Sequence, residues 1–125
     1  MKDVDYSLPR RKILKNKLEV TDVFVNGQTF TNYPLKVFLL PSSQDGISFS
    51  YKVGFAVPKK KYRHAFQRNR VKRLLREAFR LEQNLISHHF GIHLVVLAIS
   101  SGELSLDKVR ASMRELLEQI GQTKF

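Results

Sequence analysis

Arg68-Asn69-Arg70-Val71-Lys72-Arg73-Leu74-Leu75-Arg76-Glu77-Ala78-Phe79-Arg80 reads as one amphipathic helix with two unlike faces. From Val71 onward, Val71, Leu74, Leu75, Ala78, Phe79, Leu85 and Ile86 fall on a single apolar stripe at helical spacing. On a wheel of about 100° per residue, Asn69, Lys72, Arg73, Arg76 and Arg80 gather on the opposite face, with Arg70 at its margin. Arg73, Arg76 and Arg80 stand three and four residues apart and so stack along about 10 Å of helix. Like charges so placed repel one another and call for a polyanion to neutralise them. Arginine, with a flat fork of donors, suits bidentate phosphate contacts and stacking on bases. An ordinary solvated helix face mixes both signs of charge, and this one does not.

Outward from that helix, the flanking segments predict a small mixed sheet. Ile47 to Val57 alternates: Ile47, Phe49, Tyr51, Val53, Phe55 and Val57 face one way, and Ser48, Ser50, Lys52, Gly54 and Ala56 the other. One side is core, while the small and polar side leaves room for something to lie on it. Leu35 to Leu40, between Pro34 and Pro41, predicts a second strand, and Pro41 to Gly46 a turn. Ile92 to Ile99 is almost wholly apolar, as a central strand covered on both faces is. Near the C-terminus Leu106, Val109, Met113, Leu116, Leu117 and Ile120 form another helical stripe, with Ser105 as N-cap and Gly121 as the stop. Asn16 to Val25 stays open: it suits a short helix ended by a left-handed cap at Asn26-Gly27, but its β-branched residues and the Asn-Gly pair also suit a hairpin. Residues 1–14, with Pro9, Arg10, Arg11 and Lys12, read as a basic N-terminal arm, and 15–125 as a single domain.

Composition narrows the partners. Twenty-two Lys and Arg against eleven Asp and Glu give a net charge of +11. A small domain needs a net charge of only about 2 to 8 for solubility, so the excess points to an anionic partner. Ten of the 22 basic residues lie between Lys59 and Arg80, with Glu77 the one acid among them, which favours nucleic acid over a membrane or an acidic protein. The chain has no cysteine, which excludes disulfides and thiolate metal sites. No apolar run approaches a membrane span and the start lacks the layout of a secretory signal, so the expectation is a soluble cytoplasmic protein without a membrane partner.

The stretch Arg68 to Arg80 strongly resembles the R-N-R-x-K-R-x-x-R-E signature of the bacterial ribonuclease P protein family. Val53-Gly54-Phe55-Ala56-Val57-Pro58-Lys59-Lys60 looks like that family's strand ending in a basic pair, with Pro58 where Ser is usual. Val23 to Gly27 looks like the end of its first helix, which decides Asn16 to Val25 as helix; Leu94 to Ser100 and the tail resemble its last strand and helix. One departure is the segment Lys61 to Gln67, longer than the family's usual loop and without its Gly. The resemblance implies an α+β fold, α-β-β-β-α-β-α, with a mixed sheet and a left-handed βαβ crossover. The third strand would come from the long strand or from Gln28 to Thr31.

It further implies the protein subunit of a tRNA 5′-processing endoribonuclease, a ribonucleoprotein hydrolase in which the RNA subunit is the catalyst and holds most of the Mg2+. The expected partners are ribonuclease P RNA and precursor tRNA, and no protein oligomer is required. By matching position, RNA binding falls to Arg68, Asn69, Arg70, Lys72, Arg73, Arg76, Arg80, Lys59 and Lys60. A cleft for the single-stranded 5′ leader would include Val20, Phe24 and Phe38, with Ser50, Lys52, Gly54 and Ala56 as its floor. Val20 replaces a common aromatic and weakens stacking there. A basic, partly aromatic groove is what sequence-tolerant single-strand binding requires.

Four rival readings compete with this one. A protein-only nuclease needs carboxylates around a metal, and the eleven acids are scattered without a D-x-D constellation, so neither a catalytic residue nor a metal ligand is assigned. His88, His89 and His93 come nearest to metal-ligand spacing but lack a fourth ligand. A helix-turn-helix wants a second helix shortly before the Arg-rich one, where Lys59-Lys60-Lys61 and a strand stand instead. A ribosomal or architectural RNA-binding protein is the serious alternative.

Overall fold

In a computed structural model, which describes residues 8, 10–41, 51–86, 91–100 and 102–123, the order is α-β-β-β-α-β-α. The elements are α1 (Lys17–Asn26), β1 (Gln28–Asn32), β2 (Leu35–Pro41), β3 (Tyr51–Ala56), α2 (Ala65–Glu82), β4 (Ile92–Ala98) and α3 (Leu106–Gln122). Four strands form one mixed sheet in the order β1-β2-β4-β3. β1 and β2 are antiparallel, as are β2 and β4, while β3 lies parallel to β4. A parallel neighbour requires a crossover, and α2 supplies it. The α+β class is as the sequence implied, and the third strand is the Gln28 segment.

Both sheet faces are covered, unequally. Leu35, Val37 and Leu39 of β2, Val53 of β3, and Leu94, Val96 and Ala98 of β4 are fully buried on one face. There they meet the stripes of α2 (Val71, Leu75, Ala78, Phe79) and α3 (Val109, Met113, Leu116, Leu117, Ile120). Fully burying one such side chain contributes about 1.5–3 kcal/mol. α1 packs on the other face, against β2 and β4, over a small cluster centred on Leu14, Val23 and Val95. β4 is therefore covered on both sides, as a central strand is, with His93 its one polar side chain.

Several boundaries differ from the sequence reading. Gly27 is not a left-handed cap; its φ of −77° and ψ of 155° are extended. Gly121 does not stop α3, which runs to Gln122 with Thr123 as its cap, although Ser105 does accept from the Lys108 amide at 3.3 Å. α2 starts at Ala65, six residues ahead of its apolar stripe, and its buried end continues as a 3-10 turn, Gln83–Ile86. Much of the Lys61 to Gln67 segment is thus turn and first helical turn. Residues 42–50, covering the proposed turn, the start of the alternating strand and Ser50, lie outside the described residues, as do His88 and His89 and most of the arm. Among the described residues no helix is long and apolar enough to cross a membrane.

Candidate nucleic-acid interface

The basic residues of α2 divide into structural and open ones. Arg68 is half-buried, and its Nη1 donates to the carbonyls of Tyr62 (3.0 Å) and Arg63 (2.9 Å). It fastens the turn after β3 to the helix, a role that spacing alone did not show. That turn is closed by the Tyr62 amide on the Pro58 carbonyl (3.1 Å), and it presents Lys59 and Lys60 to solvent at the same end of the molecule as the start of α2. Tyr62 is buried there, its hydroxyl donating to the Gly102 carbonyl at 2.8 Å and lying 3.1 Å from Ser100 Oγ. Arg80 is also engaged: its Nε donates to Glu77 Oε2 at 3.0 Å and its Nη2 reaches the other oxygen. That hydrogen bond holds the Glu77 carboxyl below the usual carboxylate range and raises Arg80 above the ordinary arginine value.

Asn69, Arg70, Lys72, Arg73 and Arg76 are all exposed, and the four basic ones among them have no ion pair among the described residues. Asn69, Lys72, Arg73 and Arg76 form one wall of a groove of about 470 Å³. Its other wall is Ile13, Leu14, Gly54 and Phe55, so the groove follows the outer edge of β3. The buried opposite side of α2 explains why these side chains point outward: Val71, Leu75 and Phe79 are held in the core. Glu82, buried at the far end, accepts from Arg114 Nε at 2.7 Å, with Arg110 Nε 3.7 Å away, and so ties α2 to α3.

The proposed leader residues converge on the opposite sheet face. Cross-strand pairing sets Lys36, Leu97 and Ala56 in one row, Phe38, Val95 and Gly54 in the next, and Leu40, His93 and Lys52 in a third. Asn16 accepts from the Leu18 amide at 2.8 Å to start α1, which carries Val20 and Phe24 over these rows. Phe24 meets Phe38 edge-on, with ring centroids 4.7 Å apart, and Lys36 Nζ lies 5.6 Å from the Phe38 centroid. Val20, Phe24, Phe38 and Lys52 are all half-buried. At Gly54 the floor is not open, because the Leu14 amide donates to the Val53 carbonyl at 2.8 Å and Leu14 lies across the glycine. This short N-terminal strip separates the aromatic face from the basic groove. Sequence reasoning missed it because Ile13 and Leu14 show no periodicity by themselves.

Comparison with known proteins follows the same lines. A family model described as Ribonuclease P matches residues 8–121. The chain is 32% identical to the ribonuclease P protein component of Chlorobaculum tepidum, covering 91% of this chain and 82% of that protein. It is 33% identical to that of Desulfovibrio desulfuricans, covering 94% and 88%. With the Porphyromonas gingivalis W83 component it shares 38% identity over 66% of this chain, but the match spans only 59% of that relative. Among solved structures, the RNase P protein from Thermotoga maritima aligns with a TM-score of 0.71 at 23% identity, covering 87% of this chain and 97% of that one. The Staphylococcus aureus RNase P protein aligns with a TM-score of 0.70 at 21% identity, covering 89% and 95%. At such identities the two structures speak for the fold alone.

Proposed function

The chain belongs to the ribonuclease P protein family, and from that premise we propose that it serves as the protein subunit of ribonuclease P. In this reading it binds the catalytic RNA and the 5′ leader of precursor tRNA in the cytoplasm, and so assists magnesium-dependent removal of the leader. The observation that carries it is the open row Lys72, Arg73 and Arg76 on α2, fixed by a buried stripe and facing a groove. An uncompensated row of this kind gains most from phosphates, whose counterions are released on contact. The aromatic face under α1 supports the second half of the proposal. Phe24 and Phe38 offer ring surface and Lys36 and Lys52 offer charge, without an array of base-reading donors among the described residues, which suits a leader of any sequence.

In the same reading magnesium is held mainly by the RNA subunit. Among the described residues no group of three or more His, Cys, Asp or Glu side chains is placed to hold an ion. The hydrolytic step belongs in this proposal to the RNA subunit, as the family resemblance implies, and the protein's part is to hold RNA, neutralise phosphates and position the leader.

The test is reconstitution. With a ribonuclease P RNA at low magnesium, adding the protein should raise the rate of precursor cleavage, and an architectural RNA-binding protein should not do this. An unchanged rate would favour that rival reading.

A further inference from the structure

Phe66 is 69% exposed, although it stands on the helix that carries the basic row. The His64 ring lies nearly parallel to it, 5.5 Å between centroids and 14° between planes, which limits how the phenyl ring turns. Concavities open on either side of it. One is a trough of about 770 Å³ running along α2 past Arg70, Arg73 and Arg76 to the Glu77–Arg80 pair. The other is a pocket of about 310 Å³ reaching Lys61, Gln67, Leu74 and Glu103.

We propose that Phe66 stacks on a single unpaired nucleotide of the bound RNA, whose base enters the smaller pocket while its phosphate meets Arg70 and Lys61. This rests on the RNA-docking role proposed above and names a contact within it. Size decides the occupant. At about 310 Å³ the pocket is at the small end of ligand sites, which run to about 1,000 Å³, so it takes one ring system rather than a protein segment. Charge agrees: Lys61 and Arg70 stand on its rim, and the one acid, Glu103, is an acceptor suited to base donors. Leu74 and Leu104 supply an apolar floor. The trough follows a sugar–phosphate chain along the helix, and Phe66 ends it by receiving a base. Stacking on an aromatic ring tolerates any base, and unstacked bases in loops and bulges are where proteins grip structured RNA.

The chain has no tryptophan, so Phe66→Trp gives the full-length protein a single indole reporter. Titrating it with a ribonuclease P RNA transcript should quench that fluorescence as the base stacks. Phe66→Ala and Phe66→Leu should each weaken binding to the transcript, by roughly five- to 150-fold for the loss of one stacked base. Neither should alter the slope of log affinity against log salt, because no charge is removed. Arg70→Ala should lower that slope by about 0.7–0.9, one phosphate contact. Because Phe66 is exposed, thermal melts should match the parent protein. An absent quench, or wild-type affinity in Phe66→Ala or Phe66→Leu, overturns the stacking contact. If Arg73→Ala/Arg76→Ala still loses affinity in that case, the docking role stands without it; if the parent protein binds no transcript, both proposals fail.

Discussion

Gly27 is a glycine for a reason its dihedrals do not give. Its backbone is one any residue adopts, but an added Cβ would stand 2.3 Å from the Val23 carbonyl oxygen and 3.0 Å from that of Leu39. The end of α1 passes this closely over β2 because its own amide closes on the Val23 carbonyl at 2.9 Å. Gly27→Ala should therefore cost about 1–3 kcal/mol, as overpacking does, although the φ is favourable. Urea unfolding measures it, and an unchanged midpoint would refute the close approach. The Glu77–Arg80 pair makes a prediction of opposite sense. The folded carboxyl is depressed by the Arg80 hydrogen bond, so the pair's small contribution is present above the ordinary value of 4.5 and fades as pH falls through the lowered one. At pH 7 it is intact, and on the proposed RNA face it would compete with phosphate for Arg80. Glu77→Gln should take one partner from Arg80 and one negative charge from the helix face, raise affinity for the RNA subunit and steepen the salt slope by up to about one phosphate contact. Equal affinity in mutant and parent would mean that the Glu77–Arg80 pair lies away from the RNA.

The elements best read from sequence are those whose periodicity survives burial on one side. The stripes of α2 and α3 and the alternation Tyr51, Val53 in β3 match the buried sets. β1 was only one of two options because Gln28-Thr-Phe-Thr-Asn32 is a short edge strand, exposed at three of its five positions and held by pairing to β2. α1 is β-branched and exposes Leu18 and Val25, so local propensity could not separate helix from strand; packing of Val23 against the sheet does. The start of α2 was hidden because its first turn faces solvent. For the two proposed RNA faces, element-level tests differ in kind. Arg73→Ala/Arg76→Ala should weaken binding to the RNA subunit and flatten the salt slope by about two phosphate contacts, with unchanged melting. Phe24→Ala or Phe38→Ala should lower affinity for precursor carrying a leader, by about 1–3 kcal/mol per stacked base, and spare mature tRNA. Because both rings also pack on Val23 and Val95, some loss of thermal stability is expected beside it. Equal losses for precursor and mature tRNA, tracking the melt, would show that the pair is packing alone.

At the scale of the molecule, basic residues are densest on α2 and the turn before it, where ten of the 22 lie between Lys59 and Arg80. The sheet separates an α2 side, with its open arginines, from an α1 side with the aromatic pair, and Ile13-Leu14 marks the boundary at the β3 edge. An RNA docked on one side and a strand lying on the other would bring two polyanions close together. Their mutual repulsion is what magnesium otherwise relieves, and fixed cations at the boundary relieve it without being consumed by exchange with solvent. The magnesium concentration needed for precursor cleavage should therefore fall when the protein joins the RNA subunit. The benefit should shrink as monovalent salt rises, since screening over about 8 Å at 0.15 M weakens the same interaction. The protein by itself should cut nothing at any magnesium level, because its basic surface repels the ion that hydrolysis of the phosphodiester requires. A magnesium series at two salt concentrations, with RNA alone, protein alone and both, separates these effects. Cleavage by protein that has been freed of RNA by nuclease treatment would overturn the division of labour. A magnesium saving that is indifferent to salt would locate the protein's help in shape complementarity instead of in charge.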